Sequence, residues 1–164
     1  IAQQLNGHYG KWFEKVKPLW DQPRYTIIGS DHENPLMLYA SDWVGDYCDN
    51  RGGLINATGK GYWDLIVDRD GEYEVELRRW PEESGKKLTE AVNDTKRGQR
   101  SARPISKAQL IVAAFDKTVE TQVTDSFVKF NVTLKAGQTK LTANFLDKNN
   151  QILCGALHVK VTRK

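Results

Sequence analysis

Residues 61–80 read G-Y-W-D-L-I-V-D-R-D-G-E-Y-E-V-E-L-R-R-W, and their alternation decides the fold class. Six apolar side chains stand at every second position on the two sides of a central turn: Trp63, Leu65, Val67, Tyr73, Val75 and Leu77. A period of two places such side chains on one face of a β-strand and the intervening polar residues on the other. Asp70 and Gly71 have the chemistry of a tight turn, so the stretch predicts a β-hairpin with a core face and a wet face.

Arg79 continues the core-facing positions just beyond this stretch of alternation. A guanidinium that is buried needs a hydrogen-bonding partner, because an unpaired charge is costly away from water. We therefore expect Arg79 to bind a buried or half-buried carboxylate or carbonyl, and a structural role is favoured over a catalytic one.

Strand patterns continue on both sides of the hairpin. They cover residues 25–28, 36–39, 108–115, 118–123, 127–134, 139–147 and 152–162. Polar turn residues separate several of them, as at 135–138 and 147–151. Roughly seven to nine short strands predict a mainly β fold, an antiparallel β-sandwich or meander with one N-terminal helix.

The N-terminal helix is predicted from one apolar stripe before Pro18. Its members recur at intervals of three and four residues: Leu5, Tyr9, Trp12, Phe13 and Val16. Such a stripe needs a surface to cover it. Either a sheet of this domain or a preceding domain supplies that surface. Because the chain enters the helix directly at Ile1, without a methionine, we also expect that a leading part of the protein precedes it.

Positive charge is concentrated in one polar stretch, residues 86–107. Seven basic residues lie there, opposed by two acidic ones, although the whole chain carries a net charge of only +3. The basic residues are Lys86, Lys87, Lys96, Arg97, Arg100, Arg103 and Lys107. Such a stretch attracts polyanions, or it is a solvated insertion without a ligand.

The two cysteines, Cys48 and Cys154, lie far apart in the sequence. Neither belongs to a C-x-x-C pair or has a histidine at zinc-ligand spacing, so we expect no metal site. They pair across the fold in an oxidising compartment, or they stay as two buried thiols.

Asp31, His32 and Glu33 form the one compact titratable cluster of the sequence. An imidazole between two carboxylates suits acid–base chemistry or a bound cation. A polar turn before Pro35 explains the same residues without any ligand. Since no phosphate-binding glycine loop or nucleophile motif occurs elsewhere, no catalytic residue is predicted.

The five tryptophans raise the question of sugar binding, because an indole ring can cover the apolar face of a pyranose. Three of them are expected to be structural: Trp12 on the helix stripe, Trp20 just beyond the helix end, and Trp63 on the core face of the hairpin. Trp43 lies in an irregular glycine-rich loop, and Trp80 falls on the wet side after the last alternating residue. These two are the remaining candidate platforms, and the alternative for both is a place in the core, where large aromatic residues usually lie.

Two stretches resemble the C-terminal region of bacterial arylsulfatase-like enzymes. They are I-I-G-S-D-H-E-N-P-L-M-L-Y-A-S-D-W at 27–43 and G-Y-W-D-L-I-V-D-R-D-G-E-Y-E-V-E-L-R-R-W-P-E-E at 61–83. The shared spacing involves Gly29, Ser30, Asn34, Pro35, Leu38, Asp42, Trp43, Trp63, Val67, Gly71, Tyr73, Leu77, Arg79, Trp80 and Pro81, and near the end Gly155, Ala156, Val159 and Val161. The resemblance covers residues 27–161.

The resemblance implies that residues 25–164 form the non-catalytic C-terminal domain of a sulfatase and that residues 1–24 link it to a catalytic domain. In that family the nucleophile is a cysteine or serine two residues before a proline and four before an arginine, and this motif is not in the sequence. Calcium and formylglycine are therefore expected only in the catalytic domain. The implied partners are that domain and sulfated carbohydrate, with neither nucleic acid nor membrane, in a periplasmic or secreted protein.

A domain beside a catalytic pocket can lend residues to its rim. The candidates are Asp31, His32, Glu33, Asp42, Trp43 and Trp80. Structural roles are expected for the motif residues Trp63, Gly71, Tyr73, Arg79, Trp80 and Pro81. The alternative to a sulfatase domain is a stand-alone carbohydrate-binding β-sandwich module.

Overall fold

The computed structural model describes residues 1–20, 22–50, 58–94, 98–100 and 102–164. This part of the chain contains one α-helix, α1 (Ala2–Val16), which a 3₁₀ turn at Lys17–Leu19 continues. Its strands are β1 (Thr26–Ile28), β2 (Leu36–Tyr39), β3 (Val44–Gly45), β4 (Gly61–Val67), β5 (Gly71–Arg78), β6 (Val92–Asp94), β7 (Gly98–Arg100), β8 (Lys107–Val112), β9 (Phe115–Glu120), β10 (Val128–Leu134), β11 (Gly137–Leu146), β12 (Ile152–Gly155) and β13 (His158–Arg163).

Two sheets pack face to face. The larger has the order β1-β4-β11-β8-β9, with β3 beside β4 and β12 beside β11, and the smaller has the order β10-β5-β13-β2. A separate ribbon pairs β6 with β7. The predicted fold class, a mainly β sandwich with an N-terminal helix, is confirmed. No helix in the described part of the chain is long and apolar enough to cross a membrane.

The predicted β-hairpin is wrong, although both of its strands exist. β4 belongs to the larger sheet and β5 to the smaller, so the connection at residues 68–70 carries the chain from one sheet to the other. Two hydrogen bonds hold it: the Asp68 amide donates to the Ile28 carbonyl (3.0 Å), and the Tyr73 hydroxyl donates to the Arg69 carbonyl (2.7 Å). Strands that face each other across a core show the same alternation as strands paired side by side.

The residues predicted to face the core do so. Trp63, Leu65 and Val67 on β4, and all three apolar residues predicted on β5, are at most 2% exposed. Burial of each such side chain contributes about 1.5–3 kcal/mol. The strand predicted over residues 152–162 is divided into β12 and β13, which lie in different sheets.

Helix α1 is confirmed, but no residue of it is buried. Leu5, Tyr9 and Trp12 of the apolar stripe are 64%, 59% and 56% exposed. Of the two surfaces considered for covering the stripe, a sheet of this domain does not bury it.

Cys48 and Cys154 are both buried, which fits the second of the two alternatives. Burial raises the pKa of both thiols. A thiol with a raised pKa is a poor nucleophile at neutral pH.

The basic stretch is anchored at both ends. Leu88 and Ile105 are buried in the core, and the Lys86 ammonium donates to the Ala91 carbonyl at 3.1 Å. Lys96 and Arg97, two of its seven basic residues, lie outside the described residues. The stretch is therefore only partly a solvated insertion.

Candidate functional site

A gap in the larger sheet creates the candidate site. One edge of β4 pairs with β11, and the other edge is shared by β3 and β1. The pairing with β3 stops where Val44 lies opposite Tyr62, and the pairing with β1 starts where Thr26 lies opposite Leu65. Among the described strands, this leaves the edge of β4 open at residues 63 and 64.

A cleft of about 600 Å³ lies at this gap. It is lined by residues 20 and 22–26, by residues 41–44, and by Tyr62 and Asp64 of β4. Tyr62 and Asp64 point away from the core because Trp63 and Leu65 point into it. The strand period therefore supplies two polar-tipped side chains to the cleft from a rigid sheet.

Aromatic rings form a large part of the lining. Trp20 is 67% exposed and Tyr25 is 37% exposed, so each presents ring surface to solvent. Tyr62 is half-buried, and the Lys140 ammonium lies 4.2 Å from the centre of its ring. This cation–π contact stabilises the orientation of the tyrosine ring.

Charged groups stand next to these rings. Asp64 is buried except for 8% of its surface, and its Oδ1 lies 3.9 Å from the Lys140 ammonium. Arg24 and Asp42 are exposed. Arg24 is the single cation among the described lining residues. The cleft can therefore offer one ligand the apolar faces of aromatic rings, carboxylate groups that accept hydrogen bonds, and a guanidinium that donates them.

Trp43 lines the cleft, but its ring is buried and is not a surface on which a ligand could stack. Only 8% of it is exposed, and its Nε1 donates to the Asp46 carbonyl at 2.6 Å. Its ring presses so closely on Gly61 and Gly155 that a Cβ at either glycine would lie within 2.7 Å of an indole carbon. The ring also packs against Trp63, with centroids 5.6 Å apart.

The residues predicted for a substrate rim are not all in one place. Asp42 and Trp43 line the cleft. Asp31, His32 and Glu33 follow the far end of β1 and do not line it. All three are exposed in a polar turn, where the Asp31 carboxylate pairs with Arg69 at 2.7 Å and also with Arg163. The turn interpretation of this cluster therefore fits its contacts.

Of the two alternatives for Trp43 and Trp80, a platform or a place in the core, the second fits, since both are buried. Trp80 is 7% exposed, and its Nε1 donates to the Glu90 carbonyl at 3.2 Å. β5 ends at Arg78, so the alternation no longer governs Trp80, which turns inward although it stands at a position expected to be wet. The exposed tryptophans of the described chain are Trp12 and Trp20, which were expected to be structural.

Ten of the twelve described lining residues are missing from the predicted rim, among them Trp20, Arg24, Tyr25, Tyr62 and Asp64. For Tyr62 and Asp64 a signal exists, because both stand on the wet side of the alternating stretch. For Trp20, Arg24 and Tyr25 the local pattern carries no such signal. Their position depends on how the segment before β1 runs past the edge of the larger sheet.

Within the described residues, no group of three or more His, Cys, Asp or Glu side chains is placed to hold a metal ion.

No family model and no curated protein matches the chain. Among solved structures, a family 35 carbohydrate-binding module from an environmental isolate has 16% sequence identity and a TM-score of 0.46, over 77% of this chain and 92% of that one. CBM35 from Cellvibrio japonicus Abf62 has 12% identity and a TM-score of 0.46, over 77% and 93%. The GH26-CBM35 β-(1,4)-mannanase of Podospora anserina has 14% identity and a TM-score of 0.46, over 80% of this chain and 28% of the mannanase. These likenesses concern the fold alone.

Proposed function

We propose that this chain is a non-catalytic carbohydrate-binding β-sandwich domain whose ligand lies in the cleft beside β4. The observation that carries the proposal is the pairing of exposed aromatic rings with charged and hydroxyl groups in one open cleft. Trp20, Tyr25 and Tyr62 provide the rings, while Arg24 and Asp42 provide charged groups at the same opening.

This combination matches the two kinds of surface that a sugar has. The C–H groups of a pyranose form apolar faces that pack on aromatic rings, and its hydroxyls need donors and acceptors at fixed positions. Asp64 is well placed for the second task, because β4 and the nearby Lys140 hold its carboxylate. Binding without hydrolysis is proposed because Asp31, His32 and Glu33, the cluster considered for acid–base chemistry, lies outside the cleft.

Replacing Tyr25 with alanine should weaken carbohydrate binding about tenfold, because a stacking ring is removed from the cleft. Affinity electrophoresis against laminarin, mannan, xylan and galactan identifies a ligand, and calorimetry measures its affinity. Tyr39→Ala is the matched control: Tyr39 is 47% exposed on β2 of the smaller sheet and should leave affinity unchanged. Equal losses in both variants, or no binding by the unmodified protein to any of the four polysaccharides, would contradict the proposal.

A second, narrower candidate is that the domain accompanies a sulfatase catalytic domain and that its cleft takes sulfated sugar. Two residues of the sulfatase-like spacing, Asp42 and Trp43, line the cleft, and Arg24 lines it as well. A guanidinium recognises oxyanions through its planar fork of donors.

The second candidate is tested with one polysaccharide in sulfated and desulfated form. Arg24→Gln should weaken binding of the sulfated form about tenfold and that of the desulfated form much less, because only the first presents an anion to the guanidinium and glutamine still donates hydrogen bonds to hydroxyls. Carrageenan and its desulfated product are suitable probes, with Lys140 kept intact as the neighbouring cation. If both forms bind with one affinity and Arg24→Gln changes both to the same extent, the sulfatase candidate fails while carbohydrate binding in the cleft stands.

A further inference from the structure

The aromatic surface of the cleft does not stop at Trp20. The Trp20 ring meets the Phe13 ring edge-on, with centroids 5.4 Å apart. Phe13 is in turn stacked with Tyr9, at 5.9 Å and an angle of 22°, and Tyr9 is 5.7 Å from Trp12. One chain of ring contacts therefore connects the cleft to the middle of α1.

These rings are accessible over the whole chain of contacts. Trp20, Tyr9 and Trp12 are 67%, 59% and 56% exposed, while Phe13, which touches two of the other rings, is half-buried between them. Trp12 precedes Trp20 by eight residues, a separation of about 12 Å along a helical backbone. The exposed surface thus extends beyond the cleft by more than the width of a single sugar ring.

We propose that the carbohydrate site extends onto α1, so that the ligand is a glycan chain that runs from the cleft across Trp20 to Trp12. This inference rests on the proposed function. Continuity with the cleft is the reason to assign the helix face to the same ligand, because a polymer held at Tyr25 and Trp20 would have its next units over the rings of α1. Sequence order contributes too: Trp20, Arg24 and Tyr25 lie on one short segment that joins α1 to the cleft.

If the site extends onto α1, the affinity for a glycan should depend on the length of that glycan. A glycan that reaches α1 gains contacts with Trp12 and Tyr9, whereas a disaccharide held in the cleft does not. For the polysaccharide that binds best among laminarin, mannan, xylan and galactan, we expect the affinity to rise from its disaccharide to its longer oligosaccharides.

Trp12→Ala is the deciding variant. It should weaken binding of the long oligosaccharides about tenfold and leave disaccharide binding unchanged, measured by calorimetry. Trp12→Phe should restore most of the loss, because the ring is kept. Leu5→Ala is the matched control, since Leu5 is an apolar side chain of the same helix, 64% exposed. Circular dichroism of each variant shows whether α1 is retained. If Trp12→Ala loses the helix, the affinity of Trp12→Phe for long oligosaccharides is the test instead: a variant that keeps the helix and binds them as the unmodified protein does supports the extension, and one that keeps the helix and loses about tenfold contradicts it.

The outcomes separate the two proposals. If the unmodified protein binds no polysaccharide of the panel, the proposed function itself fails. If it binds disaccharide and long oligosaccharide equally, and Trp12→Ala changes neither affinity, the extension onto α1 is wrong and the cleft site stands. If light scattering shows that Trp12→Ala abolishes self-association without any change in glycan affinity, the helix face is a protein contact, and the extension is again wrong.

Discussion

Arg79→Ala is expected to lower the free energy of unfolding by about 3 kcal/mol or more, because it removes two charge-assisted hydrogen bonds from the protein interior. The Arg79 guanidinium is 2% exposed and donates through Nη1 to the carbonyls of Leu88 and Glu90, at 3.0 and 3.2 Å. Without the Arg79 side chain, the Leu88 carbonyl would remain buried and would lose a hydrogen-bond donor. Urea denaturation followed by tryptophan fluorescence measures the change.

The effect should be concentrated where Arg79 acts. Leu88 is 1% exposed, and its amide donates to the Asp125 carbonyl at 2.8 Å, so Arg79 holds the start of the basic stretch against the sandwich. Hydrogen exchange of residues 88–90 should therefore become faster in Arg79→Ala than exchange in β5. Burial lowers the pKa of Arg79 to about 10, which still leaves the guanidinium protonated at neutral pH and able to donate.

Arg69→Ala provides the comparison for Arg79. Arg69 has the same side chain, but it is 53% exposed, and its guanidinium pairs with Asp31 at 2.7 Å on the surface. Exposed ion pairs of this kind contribute about 0–1 kcal/mol, so a small change is expected. Similar losses in the two variants would show that the buried contacts of Arg79 do not hold the basic stretch in place.

Arg79 also illustrates what the sequence can predict. Strand parity alone predicts that its guanidinium is buried and bound to a carbonyl or carboxylate, and the structure confirms a carbonyl partner. The same parity predicts the six buried apolar residues of β4 and β5, because the period of two is a local property of the backbone. It does not predict Asp64, Glu76 and Arg78, which stand at the positions expected to be wet and are also buried. Which strands pair is not local. β5 pairs with β10 and β13, which lie more than 40 residues further along the chain, so the alternation of residues 61–80 could not exclude a hairpin.

The cleft was less predictable than the core for the same reason. Tyr62 and Asp64 are on the wet side of β4, and that much follows from the sequence. Their neighbours in the cleft come from two distant segments, which meet only because β1 and β3 share one edge of β4. The burial of Trp43 could not be predicted, because an irregular glycine-rich loop has no alternation that shows which side chains face the core. Its indole ring is admitted by the lack of side chains at Gly61 and at the distant Gly155.

Several residues of the sulfatase-like spacing have a packing explanation in this fold. Trp63, Tyr73, Arg79 and Trp80 are all buried. The Trp63 Nε1 donates to the Tyr39 carbonyl at 2.9 Å, which joins the larger sheet to β2 of the smaller one. Tyr73 bridges the sheets in another way, because its hydroxyl reaches the connection at residues 68–70 and its ring lies against Gly29.

Gly29→Ala is expected to destabilise the domain by about 3 kcal/mol, from two causes that act together. Gly29 has φ +75°, a conformation that costs an L-residue about 1–2 kcal/mol. A Cβ at this position would also lie 2.2 Å from the Tyr73 hydroxyl oxygen and 2.7 Å from a ring carbon. Tyr73 is fully buried and cannot move aside without losing its 2.7 Å hydrogen bond to the Arg69 carbonyl. Thermal and urea unfolding of the variant measure the loss.

Gly85→Ala separates the two causes, because it shares the first and lacks the second. Gly85 has φ +60°, but nothing lies within 4 Å of the position of an added Cβ. Its substitution should therefore cost only the conformational strain, about 1–2 kcal/mol, and the difference between the two variants is the cost of displacing Tyr73. Removing the hydroxyl with Tyr73→Phe should reduce that difference, because the closest atom is gone. If Gly29→Ala costs no more than Gly85→Ala, the contact between Gly29 and Tyr73 does not constrain the sandwich.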